Sequence, residues 1–208
     1  FMIFFLIIGF GYGFSSAITA LLGNALGKKR YKLASIYAHK GLVFVPLIGL
    51  TLSIIGYFFA PSLFMFLGAK DEYLQISLDY INPILFGAIF FMFNFSLNSI
   101  LIATGDTKTY RNSLIFGFFA NLALNPLFMY GFLFVPAMGI KGIAFATVLI
   151  QIINMFYLFY KVLQTKLIHF DKLEYFIPNL RIYKLFFTHG IPSSLNMLTM
   201  AIGSLILT

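Results

Sequence analysis

The chain has no cysteine, so disulfides and thiolate metal ligation are excluded. Charge is scarce as well. Only 10% of residues are charged while 61% are hydrophobic, where a soluble domain carries about 25% charged residues. Acids at depth are scarcer still. Asp71, Glu72, Asp106, Asp171 and Glu174 fall in connections between apolar runs, and Asp79 stands near the outer end of one run. Proton coupling normally places a titratable group deep in a span, and none is found there. His39, His169 and His189 lie apart near the basic ends of the runs, so they form no metal-ligand cluster. No nucleophile–base pair and no phosphate loop is evident. Gly9, Gly11 and Gly13 sit inside an apolar run and read as close helix packing rather than nucleotide binding. An intramembrane enzyme would need paired acids, His ligands or a Ser–His pair at depth. The chain is therefore not expected to be an enzyme or to hold a cofactor.

What is abundant is apolar length. Mean hydropathy is +0.95, and several stretches reach the roughly 20 apolar residues that cross a bilayer. Six spans are expected: about Phe1 to Leu26, Ala38 to Ala60, Ile76 to Thr104, Asn112 to Phe132, Gly142 to Tyr160, and a sixth from near Ile191. The connection Pro61 to Glu72 is expected to hold at most an interfacial turn. The stretch from Gln164 to Phe187 alternates charge with Phe, Leu, Ile and Tyr, which suits a linker resting on the membrane surface as an interfacial helix. Both ends fall within apolar sequence, which reads as a piece of a longer polytopic chain.

The net charge of +8 would suit nucleic acid, but its placement argues for membrane topology. Lys28, Lys29, Arg30, Lys32, Lys40, Lys108, Arg111, Lys161, Lys166, Lys172, Arg181 and Lys184 fall on one side of the spans, and only Lys70 and Lys141 on the other. Such asymmetry assigns the basic side to the cytoplasm. Nucleic acid is not an expected partner; the lipid bilayer is.

Polar residues inside the spans come in pairs four apart: Asn94 and Asn98, Asn121 and Asn125, Thr147 and Gln151. That spacing puts each pair on one helix face, and an amide without water costs free energy unless it finds a partner. Pro126 follows the second pair and frees the carbonyl of Leu122. Amide oxygens and a loose carbonyl are hard ligands that suit an alkali cation or an ordered water. Helix–helix hydrogen bonding is the plainer alternative, worth about 0.6–2 kcal/mol per bond. Pro46, Pro83 and Pro126 are candidate bending points. The 28 Phe and 12 Tyr offer faces to organic cations, although most such rings face lipid.

These segments resemble the multidrug and toxic compound extrusion (MATE) family of antiporters. The densest likeness is Asn98-Ser-Ile-Leu-Ile-Ala-Thr-Gly105-Asp106-Thr107-Lys108, similar to that family's helix end and Gly-Asp-Thr-Lys turn. Asn121-Leu-Ala-Leu-Asn125-Pro126 and Gly139-Ile-Lys-Gly142-Ile-Ala-Phe-Ala-Thr147 follow in matching order, and Gly23-Asn-Ala-Leu-Gly27 fits the end of the second helix. The resemblance implies an all-α polytopic membrane protein with a MATE-like bundle, comprising helices two to six of a first lobe and the start of helix seven. Residues 1–160 would form five helices of that lobe, 161–189 a cytoplasmic amphipathic linker, and 190–208 the truncated first helix of a second lobe. It implies a secondary transporter exporting organic cations by alternating access in antiport with Na+ or H+, in the plasma (inner) membrane of a bacterium or archaeon. Its partners would be small organic cations and the remaining helices of the same transporter, monomeric when complete. The implied cation or polar-cavity site comprises Tyr80, Asn98, Asn121, Asn125 and Thr147, to which the spacing of polar residues adds Gln151. Asn125 stands where some members carry an Asp, and the first-helix Asp would precede Phe1. The alternatives are a lipid-linked oligosaccharide flippase of related fold, disfavoured because Lys and Arg stay out of the spans, and a non-functional fragment.

Overall fold

A helix pairs its own backbone groups, so long apolar stretches that leave water become helices. The computed structural model describes residues 2–131, 136–170 and 173–206. It contains α1 (Met2–Gly27), α2 (Tyr31–Phe66), α3 (Asp71–Ala103), α4 (Lys108–Tyr130), α5 (Ile140–Gln164) and α6 (Leu180–Ile206), with a short 3-10 turn at Leu173–Tyr175. No strand occurs among the described residues. Helices α1 to α5 are each long and apolar enough to cross a membrane. The chain is an integral, multi-pass, all-α membrane protein, as its composition leads one to expect.

Helix α3 is the central post. It packs against α1, α2 and α5, while α4 rests mainly on α5 and α6 on α1. One apolar cluster joins Phe14, Phe44, Ile84, Met92 and Phe186. A second, toward the basic end, joins Leu22, Leu42, Leu97, Leu158 and Val162 with Leu167 and Ile168 of the linker. The expected helix packing of the α1 glycines is found: Gly9 faces Leu198, Gly11 faces Phe95, and Gly13 faces Ser194. A Cβ on Gly13 would fall 2.7 Å from the Gly190 carbonyl oxygen, so the two backbones cross almost in contact.

Helix ends follow local chemistry. Gly105, at φ +92°, closes α3: its N–H reaches the Ile102 carbonyl at 3.0 Å and the Asp106 N–H reaches Leu101 at 2.8 Å. Asp106 then opens α4, accepting from the Thr109 N–H at 3.0 Å and the Thr109 hydroxyl at 2.5 Å. One Gly-Asp step thus ends one span and starts the next. The hydrogen bonds from Thr109, side chain first, hold the Asp106 carboxyl below the usual carboxylate range.

Several boundaries differ from expectation: α2 begins at Tyr31 rather than near Ala38, α3 at Asp71 rather than near Ile76, and α4 at Lys108 rather than near Asn112. Helix α2 runs through Pro61 to Phe66 instead of ending near Ala60. The helix continues because stopping would free more backbone groups than the one bond proline forfeits. Helix α6 begins at Leu180, not near Ile191, because the Asn179 side-chain oxygen accepts the N–H groups of Arg181 at 3.0 Å and Ile182 at 3.3 Å. Residues 180–187 of the expected linker belong to α6, and between α5 and α6 its described part is no interfacial helix but holds a single 3-10 turn. Its backbone is held instead by α2, where Ser35 donates to the Leu167 carbonyl at 2.7 Å and Lys40 donates to the Glu174 carbonyl at 3.2 Å and to that of Ile177. Asp171 and Lys172, counted above among the linker charges, lie outside the described residues.

Candidate polar site between the helices

Helices α4 and α5 run antiparallel, and their facing polar residues meet rung by rung. Gly142 permits the approach: a Cβ there would fall 2.6 Å from the Phe128 carbonyl carbon. Farther in, the Thr147 hydroxyl lies 3.5 Å from the Asn121 side-chain oxygen and donates to the Ile143 carbonyl at 3.0 Å. One turn deeper, Gln151 meets α3: the Asn94 amide nitrogen donates to its side-chain oxygen at 2.7 Å and to its backbone oxygen at 2.9 Å. Below that, Asn154 is buried and shares a pocket wall with Ser113. From Thr147 to Asn154 the ladder covers about 10 Å of helix rise.

What the ladder leaves over is acceptor capacity. The side-chain oxygens of Asn94, Asn98 and Asn125 are all buried without a hydrogen-bond partner. A buried unpaired amide oxygen costs about 1–3 kcal/mol. Beside Asn94 and Gln151 opens a cavity of about 260 Å³ that also touches Phe91, Tyr110, Ser113 and Asn154. Of the three residues only Asn94 lines that cavity, where a cation, or a ligand bearing N–H or O–H groups, would suit an amide oxygen. An anion would not, since the polar rungs present amides and hydroxyls and no Lys or Arg.

The structure therefore brings together Asn121 with Thr147 and Asn94 with Gln151, and buries the side-chain oxygen of the half-buried Asn125 one turn outward of Asn121. Tyr80 stands apart. It packs on the large apolar cluster near the outer end of α3, about 27 Å of helix rise from Asn98. One small ligand cannot touch both. Asp79 instead pairs with Lys141 at 3.1 Å, at the outer rim. Among the described residues no group of His, Asp or Glu is placed to hold a metal ion. Ser113 and Tyr110 were not foreseen as site residues. The signal for Ser113 is the spacing of four that links Asn125, Asn121, Gly117 and Ser113 along α4.

Comparison with known proteins agrees with this architecture. Residues 1–127 match the family described as MatE. The chain is 32% identical over 209 residues to the "Probable multidrug resistance protein YoeA" of Bacillus subtilis, covering 99% of this chain and 45% of that relative. It superposes on the inward-facing conformation of a multidrug resistance MATE family transporter of the MOP superfamily with a TM-score of 0.85 and 28% identity, covering 97% of this chain and 45% of that one. The outward-facing conformation of a MATE family transporter gives a TM-score of 0.85 at 28% identity, over 100% of this chain and 45% of that one. The chain thus spans about half the length of the relatives it matches, and those solved relatives are transporters, not enzymes. With its bundle, its Gly-Asp turn and its rungs of amides in place, the chain belongs to the MatE family.

Proposed function

We propose that this chain forms part of a secondary transporter that exports small organic cations in exchange for Na+ or H+, by alternating access, across the plasma (inner) membrane of a bacterium or archaeon. In this reading residues 1–160 supply five helices of a first lobe, 161–189 the cytoplasmic linker, and 190–208 the first helix of a second lobe. The supporting observation is the buried, unpartnered amide oxygens of Asn94 and Asn125, a turn to either side of the Thr147–Asn121 rung, with that of Asn98 a further turn deeper. Oxygens kept unpaired at depth are costly, and a cation that visits and leaves gives them a use. The names of the relatives support multidrug efflux, and their inward- and outward-facing forms support a rocking bundle. In a one-for-one exchange of monovalent cations the membrane potential cancels, so the work comes from the concentration gradient of the entering ion, about 1.4 kcal/mol per tenfold. The candidate coupling residues are Asn121, Asn125, Thr147 and Gln151 on neighbouring turns, with Asn98 about two turns deeper than Thr147 and Tyr80 at a separate outer position.

The test is ion-driven efflux in proteoliposomes with Asn125→Leu and Asn121→Leu. Both are expected to insert normally and to lose most gradient-driven transport of a fluorescent organic cation. Undiminished coupled transport in both would remove these residues from the mechanism. Imposing a Na+ or a proton gradient separately identifies the driving ion.

A further inference from the structure

Apart from the polar ladder, a trough opens on another side of the bundle. Helix α3 packs against both α2 and α5, which do not pack on each other. The gap between them is therefore floored by α3 and walled by its two neighbours. It encloses about 880 Å³. Its walls are exposed aromatics, Tyr57 and Phe58 on α2 and Phe145 on α5, over a floor carrying Phe86 and Phe90. The Ser53 hydroxyl donates across to the Leu85 carbonyl and ties α2 to the floor. At the upper rim stand Asp79 and Lys141, 3.1 Å apart, with Asn82 one turn below. Lys141 is one of only two basic residues on the non-cytoplasmic side.

We propose that this trough is a binding site for one zwitterionic glycerophospholipid of the outer leaflet, with an ethanolamine headgroup on the Asp79–Lys141 pair. Depth is the first argument. From Asp79 to Phe90 the floor descends about 16 Å, close to the roughly 15 Å of one hydrocarbon leaflet. Charge is the second. A phosphate and an ammonium two carbons apart present the same close opposite charges as the rim pair. Unused capacity is the third. The Lys141 ammonium has three donors and spends one on Asp79, while the Asp79 carboxylate accepts only from Lys141 and from the Gln75 amide at 2.9 Å. Two donors remain for the phosphate, and lone pairs remain for the ethanolammonium. Asn82 lies at the level of the ester carbonyls. A half-exposed ion pair stabilises the fold little by itself, so its placement above an aromatic trough is better explained by a headgroup. The proposal is independent of what the polar ladder transports.

Native mass spectrometry of the delipidated protein, titrated with dioleoyl phosphatidylethanolamine or phosphatidylglycerol, tests it. The native protein should retain a single phosphatidylethanolamine, roughly tenfold over phosphatidylglycerol, the scale of one charge-assisted contact. Asp79→Asn should erase that preference, and Lys141→Gln should weaken both lipids. Equal retention by native protein and both variants, or a native preference for phosphatidylglycerol, overturns the proposal. A diazirine-bearing phosphatidylethanolamine gives an answer that needs no variant. Its cross-links should concentrate in 50–58 and 82–90, and labelling spread evenly over all exposed helices overturns the site.

Discussion

Asn94 turns its amide nitrogen toward Gln151 and leaves its oxygen without a partner, while Asn125 offers a buried oxygen with no partner at all. The two residues should respond differently to removal. Asn94→Leu strands the Gln151 side-chain oxygen and is expected to cost about 1–2 kcal/mol. Asn125→Leu removes an unpaired acceptor and should leave stability within about 0.5 kcal/mol. Thermal unfolding of the two variants in one detergent checks the contrast. A large loss for Asn125→Leu would mean that its oxygen has a structural partner, and would weaken the case for a ligand there. Asp106 supplies the pH-dependent counterpart. Its carboxyl is held low by the two bonds from Thr109, so its contribution is complete above the unfolded value near 3.9 and fades as pH falls through the lower folded value. Asp106→Ala should cost about 1 kcal/mol at pH 7. The gap to the native protein should narrow only in strong acid, which melting curves at pH 7 and below pH 3 would resolve.

At the scale of helices, α1 and α6 cross closely, because Gly13 lies against Gly190 and Ser194. Gly13→Val places branched carbons where backbone already sits. It should force α6 away and cost about 1–3 kcal/mol, seen as a lower apparent melting temperature. Gly23→Ala, on the same helix with open space around it, is the matched control and should be neutral or mildly stabilising. How far the sequence discloses these elements depends on the force involved. Spans set by apolar length were legible as elements, with several ends five to eleven residues from where hydropathy puts them, and the pairs of amides four apart were legible from spacing alone. The start of α6 was not, because hydropathy weighs only the apolar run and ignores the Asn179 cap that begins a more polar first turn. Which amide meets which was also hidden. Asn94 could have faced any neighbour, and only the register of α3 against α5 selects Gln151. The separation of Tyr80 from Asn98, by contrast, follows from helix rise and could have been computed beforehand.

At the scale of the whole molecule, the linker is held to the first bundle by side chains that read its backbone. His39 Nε2 lies 3.1 Å from both the N–H and the carbonyl oxygen of His169, and its Nδ1 lies 2.7 Å from the Ser35 carbonyl oxygen. Lys40, nearly wholly buried, spends its ammonium on the carbonyls of Glu174 and Ile177. These bonds place the segment leading into α6 under the control of α2, and the ring cluster of Phe44, Tyr183 and Phe186 continues the same attachment into α6 itself. In a rocking bundle, the cytoplasmic end of α6 would then move with α1 and α2 rather than slide over them. Lys40→Met keeps the length of the side chain but removes both bonds to the half-buried carbonyls of Glu174 and Ile177, a loss of about 1–2 kcal/mol. If local opening is fast, tryptic cleavage at Lys166 and Arg181 tracks its equilibrium and should quicken by about tenfold or more, while cleavage at Lys28 and Lys29 should not change. His39→Ala should act in the same direction through an independent bond. Unaltered cleavage in both variants would show that the aromatic attachment alone holds the linker, and that the polar contacts of α2 are dispensable for coupling it to the bundle.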